Sequence, residues 1–416
     1  MSSLRTAAPL PIADHPAFLT ALPGPFARAI RVHPRRGAVT GWGTLTPVPW
    51  SASGFIHDAD LDPGTRLDYH TGVAYPQDAA SQTPVLMLAP QPGEVVVDAC
   101  AAPGSKSSQI GLAMGDEGLL VCLDSSPDRR RILAENLARQ GIVTAVVTPM
   151  PLDRLAQAHP AVADAVLVDA PCSGHEPRSE RQLARMAQRQ LAILTQAAAL
   201  VRPGGRLVYS TCTPWPVENE SVIRAFLASA KGWLVEPVTL PGTDTDLEGL
   251  GAIRLWPQRQ GSEPFFACRL RAPGDDLASG SLVGRRPVDH CPPPDPAWLG
   301  LTTWRRGQLT FAASAAASAC ALPSEARGLI LGRSSGDDPH DRSAPWRWDP
   351  WGAQATIARG ANTHTLSHAD ACRLWAGEVL AEVPDGFLRS AAGAPLGIAM
   401  HGRLLMPSRM CRTGLR

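Results

Sequence analysis

Residues 165–174 read Ala165-Val-Leu-Val-Asp-Ala-Pro-Cys-Ser-Gly174, and residues 204–213 read Gly204-Gly-Arg-Leu-Val-Tyr-Ser-Thr-Cys-Thr213. Each stretch is a short apolar run that ends in turn residues, with a cysteine just past its end, which predicts two β-strands. A helical pattern from Glu180 to Arg202 lies between them. In such a strand–helix–strand unit the two strands run parallel, and both carboxyl ends open at one edge of the sheet, where ligands bind. We therefore expect Cys172, Cys212 and Asp169 to face one crevice.

The composition is that of a globular protein of two or three domains. The chain has 416 residues, of which 44% are hydrophobic and 19% are charged. No apolar run approaches the roughly 20 residues needed to cross a bilayer, and the N-terminus has no signal-peptide core, so we expect a cytoplasmic protein without a membrane partner. The nine cysteines include no Cys-x-x-Cys pair, which argues against zinc ribbons and disulfide frameworks. No metal site is predicted.

The charge balance limits how the chain could bind a nucleic acid. The net charge is only +1, so an RNA partner would have to be met by a local basic face. Lys106 and Lys231 are the two lysines among 39 basic residues. In a chain that otherwise uses arginine, a lysine at position 106 suggests that a compact point charge is needed there, although chance placement is the alternative.

A second strand–loop–helix unit precedes the cysteine strands. Residues 93–106 form an apolar strand ending at Asp98, then a Pro-Gly turn and the start of a helix near Ser105, and such a turn makes a binding concavity. The loop has neither a dinucleotide-binding nor a Walker motif. The next strand, residues 119–124, ends in Asp124, whose carboxylate could accept both hydroxyl protons of a ribose. A helix over 127–140 and a strand over 142–148 complete this half of the sheet.

The remaining segments are predicted from composition and periodicity. Short strands near 234–238 and 265–270 are expected to add an antiparallel edge to the sheet. In the last region we predict helices over 312–322 and 366–379 and short strands over 386–399 and 402–406. Trp346, Trp348 and Trp351 with Arg347 could stack on bases, but packing within a loop is favoured. The expected domains are an N-terminal segment, 1–60, that packs on the core, a core domain, 61–272, a Pro-rich linker, 273–298, and a C-terminal α+β or barrel module, 299–416.

These motifs, in this order, resemble the Sun-type (nucleolar protein/Sun) family of RNA cytosine-5 methyltransferases. The resemblance runs from about Pro49 to Leu270. More loosely, residues 386–416 resemble the PUA-like tail of the bacterial 16S ribosomal RNA enzymes of that family. The matching pieces are Tyr75-x-Gln77-Asp78, Asp98 to Lys106, Asp124, Asp169 to Gly174, Ser210 to Thr213, Glu218-Asn219-Glu220 and Phe265-Phe266.

The resemblance implies a Rossmann-like α/β core that binds S-adenosylmethionine and methylates cytosine in RNA. It implies Cys212 as the nucleophile and Cys172 as the residue that helps the product leave, with Asp169 and Lys106 completing the catalytic set. Pro151 stands where the family usually has an acidic residue near the adenine, with Asp153 two residues further on. The implied cofactor-binding residues are Cys100, Ala101, Ala102, Pro103, Gly104, Ser105, Lys106, Asp124 and Asp169.

Thiol chemistry gives a physical reason for this pair of cysteines. Cytosine carbon-5 is a poor nucleophile, and addition of a thiolate at carbon-6 activates it. A free thiol has a pKa of roughly 8.5, so the site must favour the thiolate or couple attack to protonation of the base. Asp169 could hold a proton at ring nitrogen-3, and Cys172 could serve in elimination. The target base must be flipped out or unpaired.

Several readings of the site compete. The first is methylation of 16S ribosomal RNA, free or in the 30S subunit, by a monomeric enzyme, and transfer RNA is the alternative substrate. In a DNA cytosine methyltransferase the Pro-Cys thiol would attack instead of the Thr-Cys thiol. A non-catalytic ribosome-assembly factor is a further alternative, motivated by Pro151. A small-molecule methyltransferase is disfavoured because it needs neither a second thiol nor a C-terminal module.

Overall fold

The computed structural model describes residues 14–175, 179–274, 281–282, 289–290, 300–306, 309–334, 346–349, 353–355, 358–375, 378, 380–400 and 403–404. Within these residues the strands form four sheets, the largest of which has ten strands. Residues 335–345 and 405–416 lie outside the described residues, as does Trp351. For Trp346 and Trp348 only the backbone is described.

The N-terminal segment forms a small antiparallel sheet that the sequence did not predict. One short helix precedes strands that pair in the order β2-β3-β1-β4, of which β4 lies beyond residue 60. Their sequences are short and interrupted by proline and glycine, and Pro47 lies on the edge strand β2, where a missing backbone donor is tolerated. The elements are α1 (His15–Ala21), β1 (Arg28–Val32), β2 (Leu45–Val48), β3 (Ser51–His57), α2 (Leu67–His70) and β4 (Ala74–Pro76).

The central sheet is the α/β core predicted from the cysteine strands. A 3-10 turn at Ala80–Gln82 opens this part of the chain, and the Asp78 carboxylate accepts from the Ala80 N–H at 2.8 Å. Its elements are α3 (Thr83–Leu88), β5 (Val95–Asp98), α4 (Ser105–Met114), β6 (Leu119–Leu123), α5 (Pro127–Arg139), β7 (Ala145–Thr148), α6 (Leu152–Ala158), β8 (Ala163–Asp169), α7 (Glu180–Ala198), β9 (Val201–Thr211), α8 (Glu220–Ser229), β10 (Leu234–Val235), β11 (Asp244–Thr245), β12 (Ile253–Leu255), α9 (Pro257–Gln260) and β13 (Phe265–Arg271).

The order of the strands places the candidate site. Five parallel strands run in the order β9-β8-β5-β6-β7, and the antiparallel β13 pairs with β9 as predicted. The strand order reverses between β5 and β8, which is where ligands bind in open α/β sheets. The predicted helix over 180–202 is wrong at its end, because Val201 already pairs with Ala163 and residues 201–211 are strand.

Both faces of this sheet are covered, which explains why its strands read as continuous apolar runs. In β8, Val166 and Val168 belong to the hydrophobic cluster that contains Leu194 of α7. The alternate residues Ala165 and Leu167 belong to the cluster on the other face, which contains α4 and α5 side chains. The sheet is therefore buried on both faces, and the loops at its carboxyl edge are attached to a well-packed core.

The C-terminal part packs directly against this core. Its strands form a five-stranded sheet, β14-β15-β16-β18-β19, and a four-stranded sheet, β20-β21-β22-β23, while β17 joins the central sheet by pairing antiparallel with β7. Its elements are β14 (Asp289–His290), β15 (Thr302–Arg306), β16 (Leu309–Ala313), α10 (Ala315–Ala319), β17 (Ala326–Arg327), β18 (Leu329–Ser334), β19 (Trp346–Trp348), β20 (His364–Leu366), α11 (His368–Trp375), β21 (Gly386–Ser390), β22 (Pro395–Met400) and β23 (Arg403–Leu404).

Two expectations for this part need correction. The predicted helix over 312–322 is wrong, because Ala312 and Ala313 continue β16, and the Ser314 hydroxyl accepts from the Ala317 N–H at 3.1 Å to start the short helix α10. The helix predicted over 366–379 exists as α11, eight residues long. The short strands predicted near its end are present as β21, β22 and β23. The domain boundaries and the PUA-like assignment stay predictions.

Candidate active site

The two predicted thiols meet at the carboxyl edge of the sheet. Cys172 lies three residues past the end of β8 and Cys212 follows directly after β9. Their Sγ atoms are 3.1 Å apart, within hydrogen-bonding distance. Both side chains are partly buried. The adjacent strand ends therefore bring both sulfur atoms together, as expected.

The hydrogen bond between the thiols affects the two groups in opposite directions. It lowers the pKa of Cys172, against the effect of burial. The same bond, together with burial and the nearby charge of Asp169, raises the pKa of Cys212. The pair therefore loses its first proton more readily than an isolated thiol and holds the second one tightly. The sulfurs titrate as a unit, in which one thiolate accepts a hydrogen bond from the remaining thiol.

Asp169, the last residue of β8, is fixed by two neighbours. Its Oδ2 accepts from the Lys106 ammonium at 2.7 Å, and its Oδ1 accepts from the Ser210 hydroxyl at 2.8 Å. Burial lowers the pKa of Lys106, but the charge and hydrogen bond of Asp169 outweigh it, and the net pKa is raised. Lys106 is therefore a permanent cation beside the thiols. The structure brings Asp169, Lys106, Cys172 and Cys212 together as predicted from the sequence.

A buried carboxylate holds the loop that carries Cys172. Glu218 is fully buried, and its Oε2 accepts from the Ser173 N–H at 3.1 Å and from the Gln190 amide at 2.6 Å. Its Oε1 accepts from the Ser173 hydroxyl. Gln190 of α7 also donates to the Pro171 carbonyl at 2.9 Å. The residues on both sides of Cys172 are thus held by the hydrogen-bonded pair of Glu218 and Gln190.

The loop after Cys212 is held by the residues that follow Glu218. The Asn219 amide donates to the Thr213 carbonyl at 2.9 Å, and the Thr213 hydroxyl donates to the Gly174 carbonyl at 2.9 Å. Arg254 donates to the Pro214 carbonyl at 2.9 Å and forms a fully buried ion pair with Glu220 at 2.6 Å. Glu218, Asn219 and Glu220 belong to the motif found in the sequence, whereas Gln190 and Arg254 were not predicted. A glutamine or arginine gives no signal in one sequence that it is buried.

The predicted cofactor loop, residues 100–106, lies between β5 and α4. Asp98 is buried beneath it, and its carboxylate accepts from the Ser107 hydroxyl at 2.7 Å and from the Cys100 N–H at 3.3 Å. Burial raises the pKa of Asp98 to about 7 and raises that of the Cys100 thiol as well. Gly104 has a φ of +108°, a conformation that favours glycine. Gly104 therefore lets the chain turn from the loop into α4.

Asp124 follows β6 on the neighbouring strand, as expected. Its carboxylate forms an ion pair with Arg129 at 3.2 Å, and Arg129 also donates to the Ala102 carbonyl at 2.5 Å. Asn136 donates to the Pro103 carbonyl at 2.7 Å. Both residues lie on α5 and were missed from the sequence. Backbone amides, a helix start and a carboxylate on the next strand form a donor and acceptor set that fits a nucleoside with a ribose diol.

Pro151, which stands where the family usually has an acidic residue, lies between the end of β7 and the start of α6. Pro151 is the residue before α6, and Asp153 lies in the first turn of that helix.

Across the described ranges, no group of three or more His, Cys, Asp or Glu side chains is placed to hold a metal ion. No described helix is both long enough and apolar enough to span a bilayer.

Comparison with known proteins assigns this core to a family. Residues 85–271 match the family model described as 16S rRNA methyltransferase RsmB/F. These residues form an RsmB/F-family methyltransferase domain. The RsmB/F domain contains every predicted site residue, and the resemblance to the Sun-type family is confirmed for this part of the chain.

Curated relatives extend the similarity over more of the chain. The ribosomal RNA small subunit methyltransferase F of Escherichia coli O81 (strain ED1a) is 35% identical over 288 residues, which cover 61% of this chain and 59% of the relative. The protein of the same name from Shigella boydii serotype 18 gives the same identity and coverage. The chain thus spans about three fifths of the length of these relatives.

Solved structures share the fold of the RsmB/F domain. A methyltransferase homologue from Pyrococcus horikoshii is 27% identical, with a TM-score of 0.56, over 62% of this chain and 90% of that protein. NSun6 from Pyrococcus horikoshii, crystallised with SFG, an analogue of S-adenosylmethionine, is 19% identical, with a TM-score of 0.56, over 63% of this chain and 95% of that protein. The predicted Rossmann-like methyltransferase fold is confirmed.

Proposed function

We propose that this protein methylates carbon-5 of cytosine in RNA, with S-adenosylmethionine as the methyl donor and small-subunit ribosomal RNA as the first candidate substrate. The observation that carries the proposal is the pair of sulfur atoms at 3.1 Å beside Asp169 and Lys106. Two thiols in one crevice suit a reaction in which one thiol adds to the base and the second takes part in its release. The printed names of the relatives, ribosomal RNA small subunit methyltransferase F, support the choice of substrate.

Each residue of the candidate site is assigned a role according to where it lies. The backbone of residues 100–104, with Asp124, would hold S-adenosylmethionine, which supplies an electrophilic methyl group when bound. The Cys212 sulfur adds to carbon-6 of the cytosine while the thiol proton passes to ring nitrogen-3, which makes carbon-5 electron-rich. Asp169, held by Lys106 and Ser210, would stabilise the protonated ring nitrogen. After carbon-5 is methylated and loses its proton to a base, the carbon–sulfur bond breaks, the ring nitrogen returns its proton to the Cys212 sulfur, and the product leaves.

Cys172 is assigned to the release step. Its pKa is lowered, so it can be present as a thiolate that accepts the carbon-5 proton, directly or through a water. When Cys212 is bound to the base, the hydrogen bond between the two thiols is no longer available. The pKa of Cys172 then returns towards a higher value, which makes it a stronger base at the stage where a base is needed.

The test combines a substrate survey and two variants. We expect labelled S-adenosylmethionine to transfer methyl to unmodified 16S ribosomal RNA or 30S subunits, with 5-methylcytidine found by nucleoside mass spectrometry. Transfer RNA in parallel tests the alternative substrate. Cys212→Ser should abolish turnover, and Cys172→Ala should accumulate a covalent RNA adduct that survives denaturing electrophoresis. The reverse pattern would contradict the assignment of the two thiols, and failure to bind S-adenosylmethionine in calorimetry would favour an assembly factor.

A further inference from the structure

A cavity of about 510 Å³ lies at the junction of the three parts of the chain, away from the thiol crevice. The N-terminal segment contributes Arg35, the core contributes Asp116 just past the end of α4, and the C-terminal part contributes Arg359 and Arg389. Leu301, Ala358 and Gly360 complete its lining. Three guanidinium groups and one carboxylate give this lining an excess of two positive charges.

The shape of the cavity depends on close packing between distant segments. The Ala38 N–H donates to the Ala392 carbonyl at 3.0 Å, next to the turn between β21 and β22. Gly37 has a φ of +92°, and a Cβ there would lie only 2.6 Å from the Ala392 carbonyl oxygen. The N-terminal segment is therefore fixed against the C-terminal sheet, and the arginines on both sides of the cavity are held at a set separation.

The carboxylate of Asp116 is shared by two of the arginines. It pairs with Arg359 at 2.7 Å and with Arg35 at 3.5 Å. Arg36 lies behind the cavity wall, where burial, together with the charges of Arg359, Arg35 and Arg139, lowers its pKa to about 9. Burial also lowers the pKa of Arg359, with Asp116 opposing and Arg35 adding to the effect. The positive charges thus repel one another in a place where an added anion would relieve the repulsion.

We propose that this cavity binds a backbone phosphate of the RNA substrate. The inference rests on the proposed function for the identity of the ligand as RNA. A phosphodiester matches the excess charge and the planar donor groups of arginine, which bind phosphate oxygens in pairs. The chain as a whole has a net charge of only +1, so attraction for RNA must come from local clusters such as this one.

The location sets which part of the RNA would be bound. Helix α4 begins at Ser105 beside the cofactor loop and ends at Met114, close to Asp116. At 1.5 Å per residue this helix is about 15 Å long, so the cavity lies at the opposite edge of the sheet from the thiols. The phosphate would belong to a nucleotide remote from the target cytosine. The cavity would then contribute to affinity and register and leave the chemical step unchanged.

Equilibrium RNA binding at several salt concentrations tests the proposal. The double variant Arg35→Gln/Arg389→Gln should bind unmodified 16S ribosomal RNA about tenfold more weakly, and the slope of log affinity against log salt should fall by about one for each phosphate that is no longer neutralised. Turnover at saturating RNA should be unchanged. The control Arg224→Gln removes an exposed arginine that also pairs with a single acid, Glu248, and should bind RNA as the wild type does.

Two further measurements distinguish the loss of a phosphate site from misfolding and from binding of a small anion. The double variant Arg35→Lys/Arg389→Lys keeps the charge and should restore the salt slope, which a misfolded protein would not do. Inorganic phosphate should raise the melting temperature of the wild type and not that of the Gln/Gln variant. If phosphate binds the wild type but the Gln/Gln variant keeps full RNA affinity, the cavity holds a small anion and the RNA assignment is overturned.

Binding is measured without methyl transfer, so the two proposals can fail separately. An active enzyme whose Gln/Gln variant keeps the wild-type affinity and salt slope would overturn the cavity proposal alone. A chain that binds RNA through the cavity but transfers no methyl group would overturn the proposed reaction alone. A wild-type chain that binds no RNA at all would overturn both.

Discussion

At the scale of single residues, two sulfur atoms and one hydrogen bond decide how the candidate site responds to pH. Cys172 and Cys212 are chemically alike, yet their pKa values move in opposite directions because one thiol donates to the thiolate of the other. A lone cysteine in this partly buried place would have a raised pKa. The hydrogen bond with Cys212 therefore stabilises a thiolate at Cys172 that burial alone would disfavour.

This pairing predicts the pH dependence of thiol alkylation. Only the thiolate reacts with iodoacetamide, and Cys172 has a lowered pKa, so its alkylation should begin below the pH expected for an ordinary thiol. Cys212→Ala removes the donor, which should raise the pKa of Cys172 and shift its alkylation profile to higher pH. Mass spectrometry of the peptide containing Cys172 gives the profile. An unchanged profile in the variant would show that the hydrogen bond does not control the titration of Cys172.

The buried carboxyl of Asp98 predicts a second pH effect, on stability. Its pKa is raised to about 7, so the folded chain keeps a proton that the unfolded chain releases near pH 4. The contribution of this group to the free energy of unfolding should thus fall as the pH rises from 4 to 7, by up to about 4 kcal/mol at 1.36 kcal/mol per pH unit. Urea unfolding of the wild type and of Asp98→Asn at several pH values measures it. Parallel curves for the two proteins would contradict the prediction.

At the scale of elements, residues at the start of α8 hold the two loops of the candidate site, which follow β8 and β9. The segment 218–220 supplies a carboxylate to the Cys172 loop, an amide to the Cys212 loop and a second carboxylate to a buried arginine. Three consecutive polar side chains are fully buried there. Their burial is stable because each one has hydrogen-bond partners.

Glu218→Gln tests the role of this segment as a positioning device. Glutamine keeps the shape but has one acceptor oxygen in place of two, so the buried donors of Ser173 or Gln190 that face the new amide nitrogen lose their acceptor, at a cost of about 1–3 kcal/mol. We expect slower release of the RNA adduct, as in Cys172→Ala but weaker, with addition by Cys212 retained. Denaturing gels that follow the adduct over time give this readout. The matched control is Glu236→Gln, which removes a carboxylate paired with Arg269 on the antiparallel edge and should leave adduct release unchanged.

Elements that depend on local pattern were predictable, and those that depend on distant partners were not. The apolar runs of β8 and β9, with a helix between them, placed Asp169, Cys172 and Cys212 together, because parallel connections leave little choice. The end of α7 and the sheet of β1 to β4 were missed, since Val201 is strand only through pairing with β8, and the N-terminal strands are short and irregular. Gln190 and Arg254 reach the site from elements whose burial no single sequence reveals.

At the scale of the whole molecule, the C-terminal part is joined to the central α/β core by strand pairing and packing. Strand β17 pairs with β7, and Arg130 of α5 forms an ion pair with Glu325 at 2.8 Å. Trp304, Ala317 and Leu322 belong to the same hydrophobic cluster as one face of the central sheet.

Removing the C-terminal part should therefore damage the core. A chain that ends at residue 274 would expose the backbone of β7 and the apolar surface that Trp304 and Leu322 cover, and exposed strand edges pair with other chains. We expect this fragment to associate with rising concentration, as measured by light scattering coupled to size-exclusion chromatography. Full-length Glu325→Gln, which loses only the ion pair with Arg130, should keep the wild-type elution volume. A fragment that stays at its monomer mass would show that β17 is dispensable.

The pairing of β17 with β7 also has a consequence for synthesis of the chain. Arg130 and its partner Glu325 are 195 residues apart, so at roughly 5–20 residues per second the ribosome needs about 10–40 s to produce the second after the first. During that interval β7, β8 and β9 are made, and the outer edge of β7 has no strand to pair with until β17 follows. For tens of seconds, therefore, the exposed edge of β7 in a nascent chain must be kept from pairing with other chains. The finished molecule does not need this protection, because β17 covers the edge.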